Sequence, residues 1–273
     1  TTFLNNIFRH LNGGQNPMEQ PVVVQPQVER GYFGLGTTLR IEERSFDYVV
    51  EHEGAQKGQE YKFFLVDTPG YGDHVNTSKS FQPVVDYIIA GNKKYLEEVL
   101  KLGFESPKVD GRTDVCIYFI AAHRCKKIDI EYMKQLSKVV AVIPVIGKSD
   151  SMTVDEMKDF KTVIMDLAAD ASNLEFFNFS DPTWNACLDG LGIDKDTTNW
   201  LGAKQPPPYA VISSKVDDKS KSNHDPDPAR VYAWGTCHVM KPKHSDNTYL
   251  QRLLLGVGFQ DMKDEMRKRH KQF

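Results

Sequence analysis

The apolar run Lys62-Phe63-Phe64-Leu65-Val66 breaks into Asp67-Thr68-Pro69-Gly70, and that boundary constrains the chain more than any other stretch. A short apolar run closed by turn formers reads as a buried strand. It ends on a carboxylate, and a glycine follows three positions on. A carboxylate at the carboxyl end of a strand can orient a magnesium-bound water. A glycine N–H, with no Cβ in the way, can approach a terminal phosphate. Asp-x-x-Gly alone is a weak signal because it recurs by chance, and a second boundary gives it weight. Val139-Val140-Ala141-Val142-Ile143-Pro144-Val145-Ile146 reads as another buried strand, ending in Gly147-Lys148-Ser149-Asp150. A strand that ends in Lys-x-Asp presents a carboxylate and a long alkyl stem at the edge of the sheet. Two strand-terminal motifs in this order place a nucleotide site at the carboxyl edge of an α/β sheet.

The 273 residues suit one large α/β domain, or one with a small appendage. A net charge of −3 gives no global basic field, which argues against nucleic acid as a partner. Cys116, Cys125, Cys187 and Cys237 are widely spaced, without Cys-x-x-Cys pairing, and read as free thiols of a reducing compartment. The histidines form no ligand spacing, so magnesium is the one metal expected. No signal peptide and no apolar run of membrane-spanning length is visible in the chain.

Phe3, Leu4, Ile7 and Phe8 recur at helical spacing, so the chain opens in a helix entered abruptly. Residues 15–36, rich in Gln, Pro and Gly, read as a loop, and 39–50 as a strand with one polar face. A polar turn covers 51–60. Helices are expected over 84–102, 128–139 and 153–168. The last begins at Thr153 with Glu156 three residues on, a capping-box pattern. Strands are expected at 115–120 and 209–212. Residues 170–205 read as a mixed insertion and 213–229 as loop. A single terminal helix is expected from Tyr249 to Lys271, ending in the basic run Arg267-Lys268-Arg269-His270-Lys271. Strands alternating with helices imply a mostly parallel sheet with right-handed crossovers.

The two strand-terminal motifs resemble those of P-loop GTPases in general, and three further stretches narrow the class. Arg230-Val231-Tyr232-Ala233-Trp234-Gly235 resembles the Arg-x-Tyr-Pro-Trp-Gly signature of septins, with Ala233 in place of the Pro. Asp67-Thr68-Pro69-Gly70-Tyr71-Gly72-Asp73 resembles their Asp-Thr-Pro-Gly-Phe/Tyr-Gly-Asp. Leu253-Leu254-Leu255 with Gln260-Asp261-Met262-Lys263-Asp264 resembles the start of their last G-domain helix. The likeness runs from Thr1 to about Lys263. It implies a P-loop GTPase-like α/β fold, a mostly parallel sheet flanked by helices, with a septin-specific C-terminal part over 213–273 of a G domain spanning 1–273. The other families weighed, membrane-associated GTPases of the plastid-import or immune-associated kind, do not account for the Arg230–Gly235 signature.

The resemblance also implies roles. Thr1-Thr2-Phe3-Leu4-Asn5 resembles the residues directly after the phosphate-loop lysine of septins. Thr1 and Asp67 would then hold magnesium, and Thr2 would touch the α-phosphate of GTP or GDP. The phosphate-cradling glycines and the lysine would lie upstream. Gly31-Tyr32-Phe33-Gly34-Leu35-Gly36-Thr37-Thr38 mimics a phosphate loop, but no strand precedes it and strand rather than helix follows. It reads better as switch I, with Thr38 sensing the γ-phosphate beside Gly70. Lys148 and Asp150 would read the base, Ser213 would sit in the third base-contacting loop, and Arg230 would pack against guanine. The bland alternatives are a solvated strand end for Lys148 and Asp150 and a surface arginine for Arg230.

Tyr71 stands where Ras-like enzymes place a water-orienting glutamine, so hydrolysis should be slow unless another group helps. Ala121-Ala122-His123-Arg124-Cys125-Lys126-Lys127-Ile128-Asp129 resembles the septin loop that faces a partner's nucleotide, with His123 and Asp129 keeping the family spacing. Arg124 replaces a glycine there, which would put a guanidinium near a neighbour's phosphates; otherwise it is a solvated arginine in a basic loop. His123 and Trp234 would lie at that nucleotide-side interface. The family further implies a cytoplasmic, cytoskeletal protein that assembles with itself or other septins, through the nucleotide side and the terminal helix, into filaments. It could do so as a slow GTPase, or as a non-hydrolysing module in which bound nucleotide only orders the interface. The basic run Arg267–Lys271 could meet an acidic membrane surface, although such runs are more often solvated helix ends.

Overall fold

A computed structural model of the chain describes residues 2–8, 41–49, 60–68, 81–103, 107, 109–172, 174–189, 191, 207–214 and 228–271. The expectations for residues 15–36, the polar turn at 51–59 and most of 213–229 lie outside them. The chain divides into two compact units, residues 1–84 and 85–273.

In the first unit, helix α1 (Thr2–Phe8) buries Phe3, Ile7 and Phe8, three of the four apolar residues that marked it as a helix. Strands β1 (Glu42–Val49) and β2 (Glu60–Asp67) form an antiparallel pair in which Phe46 faces Phe63 and Glu42 faces Asp67. The sequence predicts a wholly buried strand at 62–66, and this is corrected. Of those residues only Leu65 is buried, while Lys62 and Phe64 are exposed. An antiparallel ribbon turns alternate side chains to opposite faces, so an apolar run can still carry a solvated face.

The second unit holds nearly all of helix α2 (Gln82–Lys101), then β3 (Val115–Ala121), α3 (Lys127–Leu136), β4 (Ala141–Gly147), α4 (Val154–Asp170), α5 (Asp181–Asp189) and β5 (Tyr209–Val211). Strands β3, β4 and β5 lie side by side and parallel, with β4 in the middle. A central parallel strand is covered on both faces, which is why β4 is an unbroken apolar run; every residue from Ala141 to Ile146 is buried. β3 alternates instead: Tyr118 and Ile120 are buried, with the Tyr118 hydroxyl 3.0 Å from Asp129 of α3, while Phe119 is exposed. Helix α4 starts as its capping box requires. Thr153 accepts from the Glu156 N–H at 3.3 Å, and the Glu156 carboxylate accepts from the Thr153 N–H at 2.8 Å. Helix α5 lies inside the stretch expected to be a mixed insertion and buries Trp184, Cys187 and Leu188.

Strands β6 (Ala229–Tyr232) and β7 (Gly235–His238) form a hairpin that the sequence signature does not announce as strand. The expected continuous terminal helix is also corrected. It is two helices, α6 (Asn247–Arg252) and α7 (Phe259–His270), joined by a wide turn over 253–257. Gly256 breaks the helix with φ −140° and ψ −105°. Gly258 completes the turn by donating its N–H to the Leu253 carbonyl at 3.0 Å. A Cβ on Gly258 would lie 2.4 Å from Cε1 of Phe179 and 2.5 Å from the Leu253 oxygen. Because one of those atoms is backbone, Gly258→Ala is expected to cost about 1–3 kcal/mol and lower Tm by several degrees in a thermal melt. An unchanged Tm would mean the turn relaxes freely.

Candidate functional site

The parallel register brings three loops to one edge. Ala121 pairs with Gly147, and Gly147 with Val211, so β3, β4 and β5 end in one row. The segments that leave that row are 122–126, 148–152 and 212–214. Ligands of open α/β sheets bind beyond the carboxyl ends of the strands, and this edge is where such a site belongs.

The middle loop is the tightest. Lys148 adopts a left-handed backbone (φ 56°) at the end of β4, leaving its side chain exposed. A single turn of 3₁₀ helix follows (Ser149–Ser151), closed by the Ser151 N–H on the Lys148 carbonyl at 3.1 Å and the Ser151 hydroxyl on the same oxygen at 2.8 Å. Ser149 is fully buried, and Asp150 is turned back under the loop with its side chain only 2% exposed.

Two donors hold the Asp150 carboxylate, one on each oxygen. Arg230 Nη1 lies 2.9 Å from Oδ1, and the Tyr232 hydroxyl donates to Oδ2. Both come from β6, two residues apart and therefore on one face of the strand. Burial of Tyr232, reinforced by its bond to Asp150, raises the phenol above its ordinary pKa, so it stays a donor. Burial, with the Asp150 charge, likewise raises the Cys237 thiol, which lies opposite Arg230 on β7. The hairpin is anchored to the third loop by the Ser214 hydroxyl on the Ala229 carbonyl at 2.6 Å, one residue after Ser213. Tyr232 stacks on Trp234 with ring centroids 4.6 Å apart and planes 4° apart. Trp234, stacked on Tyr232, is 75% exposed, and Val231, on the opposite face of β6 from Arg230 and Tyr232, is 79% exposed.

The first loop is tied to the second. His123 takes a left-handed backbone (φ 62°), and its Nε2 lies 3.1 Å from the Ser151 carbonyl oxygen. Arg124 follows, exposed, with its N–H on the Ala121 carbonyl at 3.2 Å. Asp129 is buried and accepts from the Lys126 N–H at 2.7 Å, which closes the loop onto α3.

Of the residues expected to act, Lys148, Asp150, Ser213 and Arg230 come together here, with His123, Arg124 and Trp234 around them. In the first unit, Asp67 ends β2 and Thr2 begins α1. Thr1, Thr38, Gly70 and Tyr71 lie outside the described residues. Tyr232 is the residue the sequence reading passed over. Its signal was present: in a strand, the residue two places after Arg230 shares its face. Among the described residues no group of His, Cys, Asp and Glu could hold a metal ion, and no helix is long and apolar enough to cross a membrane.

The family model described as Septin matches residues 37–272. The chain belongs to the septin family. Septin-9 of Rattus norvegicus is 32% identical to this septin over 218 residues, 79% of this chain and 36% of that protein. Septin-10 of Bos taurus is 33% identical over 213 residues, 77% of this chain and 44% of that one. The neuronal-specific septin-3 of Danio rerio is 30% identical over 229 residues, 82% and 58% respectively. The chain therefore spans between 36% and 58% of the length of these curated relatives. The crystal structure of the septin GTPase domain from Chlamydomonas reinhardtii superposes with a TM-score of 0.68 at 26% identity, covering 84% of this chain and 79% of that one. This septin has the P-loop GTPase-like α/β fold, with its parallel sheet flanked by helices.

Proposed function

We propose that this septin binds guanine nucleotides, hydrolyses GTP slowly and assembles with itself or other septins through its nucleotide side and its terminal helix. The observation that carries the reading is the Asp150 carboxylate, fixed at the end of the central parallel strand with each oxygen already satisfying one donor. A carboxylate at the end of that strand supplies two coplanar acceptors for the paired N1–H and 2-amine that guanine presents and adenine does not. Lys148, exposed beside it, offers an alkyl stem to the ring. Magnesium, a hard cation, suits the oxygen donors of Asp67 and Thr1, and it would neutralise charge on the phosphates. Thr2 would touch the α-phosphate, Thr38 and Gly70 the γ-phosphate, with Ser213 and Arg230 near the base. Residues 1–273 belong to one G domain in this reading, with 213–273 in its septin-specific part.

The test is Asp150→Ala in the full chain. Losing charge-assisted hydrogen bonds costs roughly 1.5–3 kcal/mol, so GTP affinity should fall about tenfold or more. Equal affinity of the unaltered protein for ATP and GTP would refute the assignment.

A second reading has its own support. Val231 and Trp234 are exposed on the hairpin that touches Asp150, as a surface ordered by nucleotide for assembly would require. Turnover and filament formation by electron microscopy, measured on one sample, separate the two. Filaments without turnover favour the structural module.

A further inference from the structure

We propose that Tyr232 gates base recognition: its phenol closes the Asp150 carboxylate, and guanine gains that carboxylate by displacing Tyr232 together with the Trp234 stacked on it. The inference rests on the reading of Asp150 as the base-binding residue and adds a competitor for it.

The geometry leaves a base edge no other route. With Arg230 on one oxygen and Tyr232 on the other, the Asp150 side chain is 2% exposed, whereas Arg230 remains 32% exposed. Each carboxylate oxygen can accept two hydrogen bonds, but the Asp150 side chain is buried, so the paired donors of guanine reach its oxygens only after a group covering them moves aside. Of the two resident donors, the phenol is neutral and the guanidinium is charged, and a charged donor holds a carboxylate more strongly. Tyr232 is therefore the partner that yields, and Arg230 can keep its ion pair from the side.

The hairpin is built to allow this. Among the described residues β6 pairs only with β7, and the ribbon is fixed at its base. There the Val239 N–H meets the Pro228 carbonyl at 2.8 Å, and the Ser214 hydroxyl meets Ala229. Its tip, Ala233-Trp234, is exposed. Tyr232 lies next to that tip, and its ring lies flat on Trp234. Moving Tyr232 off the carboxylate changes the surroundings of the indole, so base binding is transmitted to the exposed face of the hairpin. A closed conformer that must open before binding lowers the apparent affinity by the fraction that is open.

The experiment compares the full chain with Tyr232→Phe and Trp234→Phe, titrated with GDP and with ADP by calorimetry and tryptophan fluorescence. Tyr232→Phe keeps the ring and its stacking but removes the competing hydrogen bond. It should bind GDP about two- to tenfold more tightly, the worth of one net hydrogen bond, with no gain for ADP. GDP should change the tryptophan fluorescence of the unaltered protein, and Trp234→Phe should lose most of that change. GDP binding that is unaltered or weaker in Tyr232→Phe overturns the gate. So does GDP binding with no Trp234-dependent signal, a result that needs no Tyr232 variant to fold. If GDP binding depends on Asp150 but ignores Tyr232, the base-reading assignment stands and the gate alone falls. If the unaltered chain discriminates no better for GDP than ADP, both fall.

Discussion

Asp246→Ala is expected to lower the stability of this septin by about 3–5 kcal/mol, the usual cost of removing one partner from a buried ion pair. The Asp246 side chain is fully buried, and the Lys161 side chain, whose Nζ lies 3.5 Å from Asp246 Oδ2, is only 7% exposed. The same oxygen accepts the Ala210 N–H at 2.8 Å, and the Asp246 N–H returns to the Ala210 carbonyl at 2.7 Å. One side chain thus joins α4, strand β5 and the start of α6 into a clip directly below the third loop of the site. Its negative charge is felt nearby. Burial raises the Tyr249 phenol to about 12, and Asp246 adds to the rise. Truncation to alanine strands the lysine in the interior and takes the acceptor from Ala210. Asp246→Asn keeps an acceptor for that N–H and should cost less. Combining it with Lys161→Met removes both charges and should recover part of the loss, since the uncompensated charge carries most of the penalty. Urea unfolding of the single and double variants measures this. A loss under about 1 kcal/mol for Asp246→Ala would show that Lys161 reaches solvent instead.

How much of this was legible depended on how local the determining signal is. Strand β4 was plain because a doubly covered parallel strand must be apolar throughout. Helix α4 was plain because Thr153 and Glu156 state its start three residues apart. Strand β2 misled, because the same apolar density arises in a ribbon whose alternate residues face water. Helix α5 hid within a mixed composition, although Asp181-Pro182 is a fair helix start. The break between α6 and α7 was masked by Leu253-Leu254-Leu255, which continues the helical apolar pattern through it. What decides there is Gly256 and Gly258, and the second is required by Phe179, nearly eighty residues away. The site followed the same rule. Asp150 and Arg230 could each be found from its own motif. That one would pair with the other, and that Tyr232 would share the carboxylate, depends on how the hairpin returns to the sheet.

Arg124→Ala is expected to slow GTP hydrolysis by about a hundredfold or more where chains meet through their nucleotide faces, while leaving GTP affinity nearly intact. Arginines supplied in trans to a phosphoryl-transfer site are worth about 10³–10⁵ in rate, which sets the scale. The need arises from Tyr71, whose phenol is a poor substitute for a water-orienting amide. The means arises from the loop after β3. His123 fixes that loop through a left-handed backbone and its contact with the Ser151 carbonyl, and Arg124 follows it with an exposed side chain. A guanidinium held there is close to the loop that carries Asp150 and exposed toward another molecule. Charge on a transferring phosphoryl group would be offset only when a second chain presents this loop. Turnover per chain should therefore rise with protein concentration and level off once pairing is complete. Single-turnover hydrolysis at several concentrations, with and without the substitution, tests both parts. Rates independent of concentration, or a variant as fast as the unaltered protein, would reduce Arg124 to a solvated arginine of a basic loop.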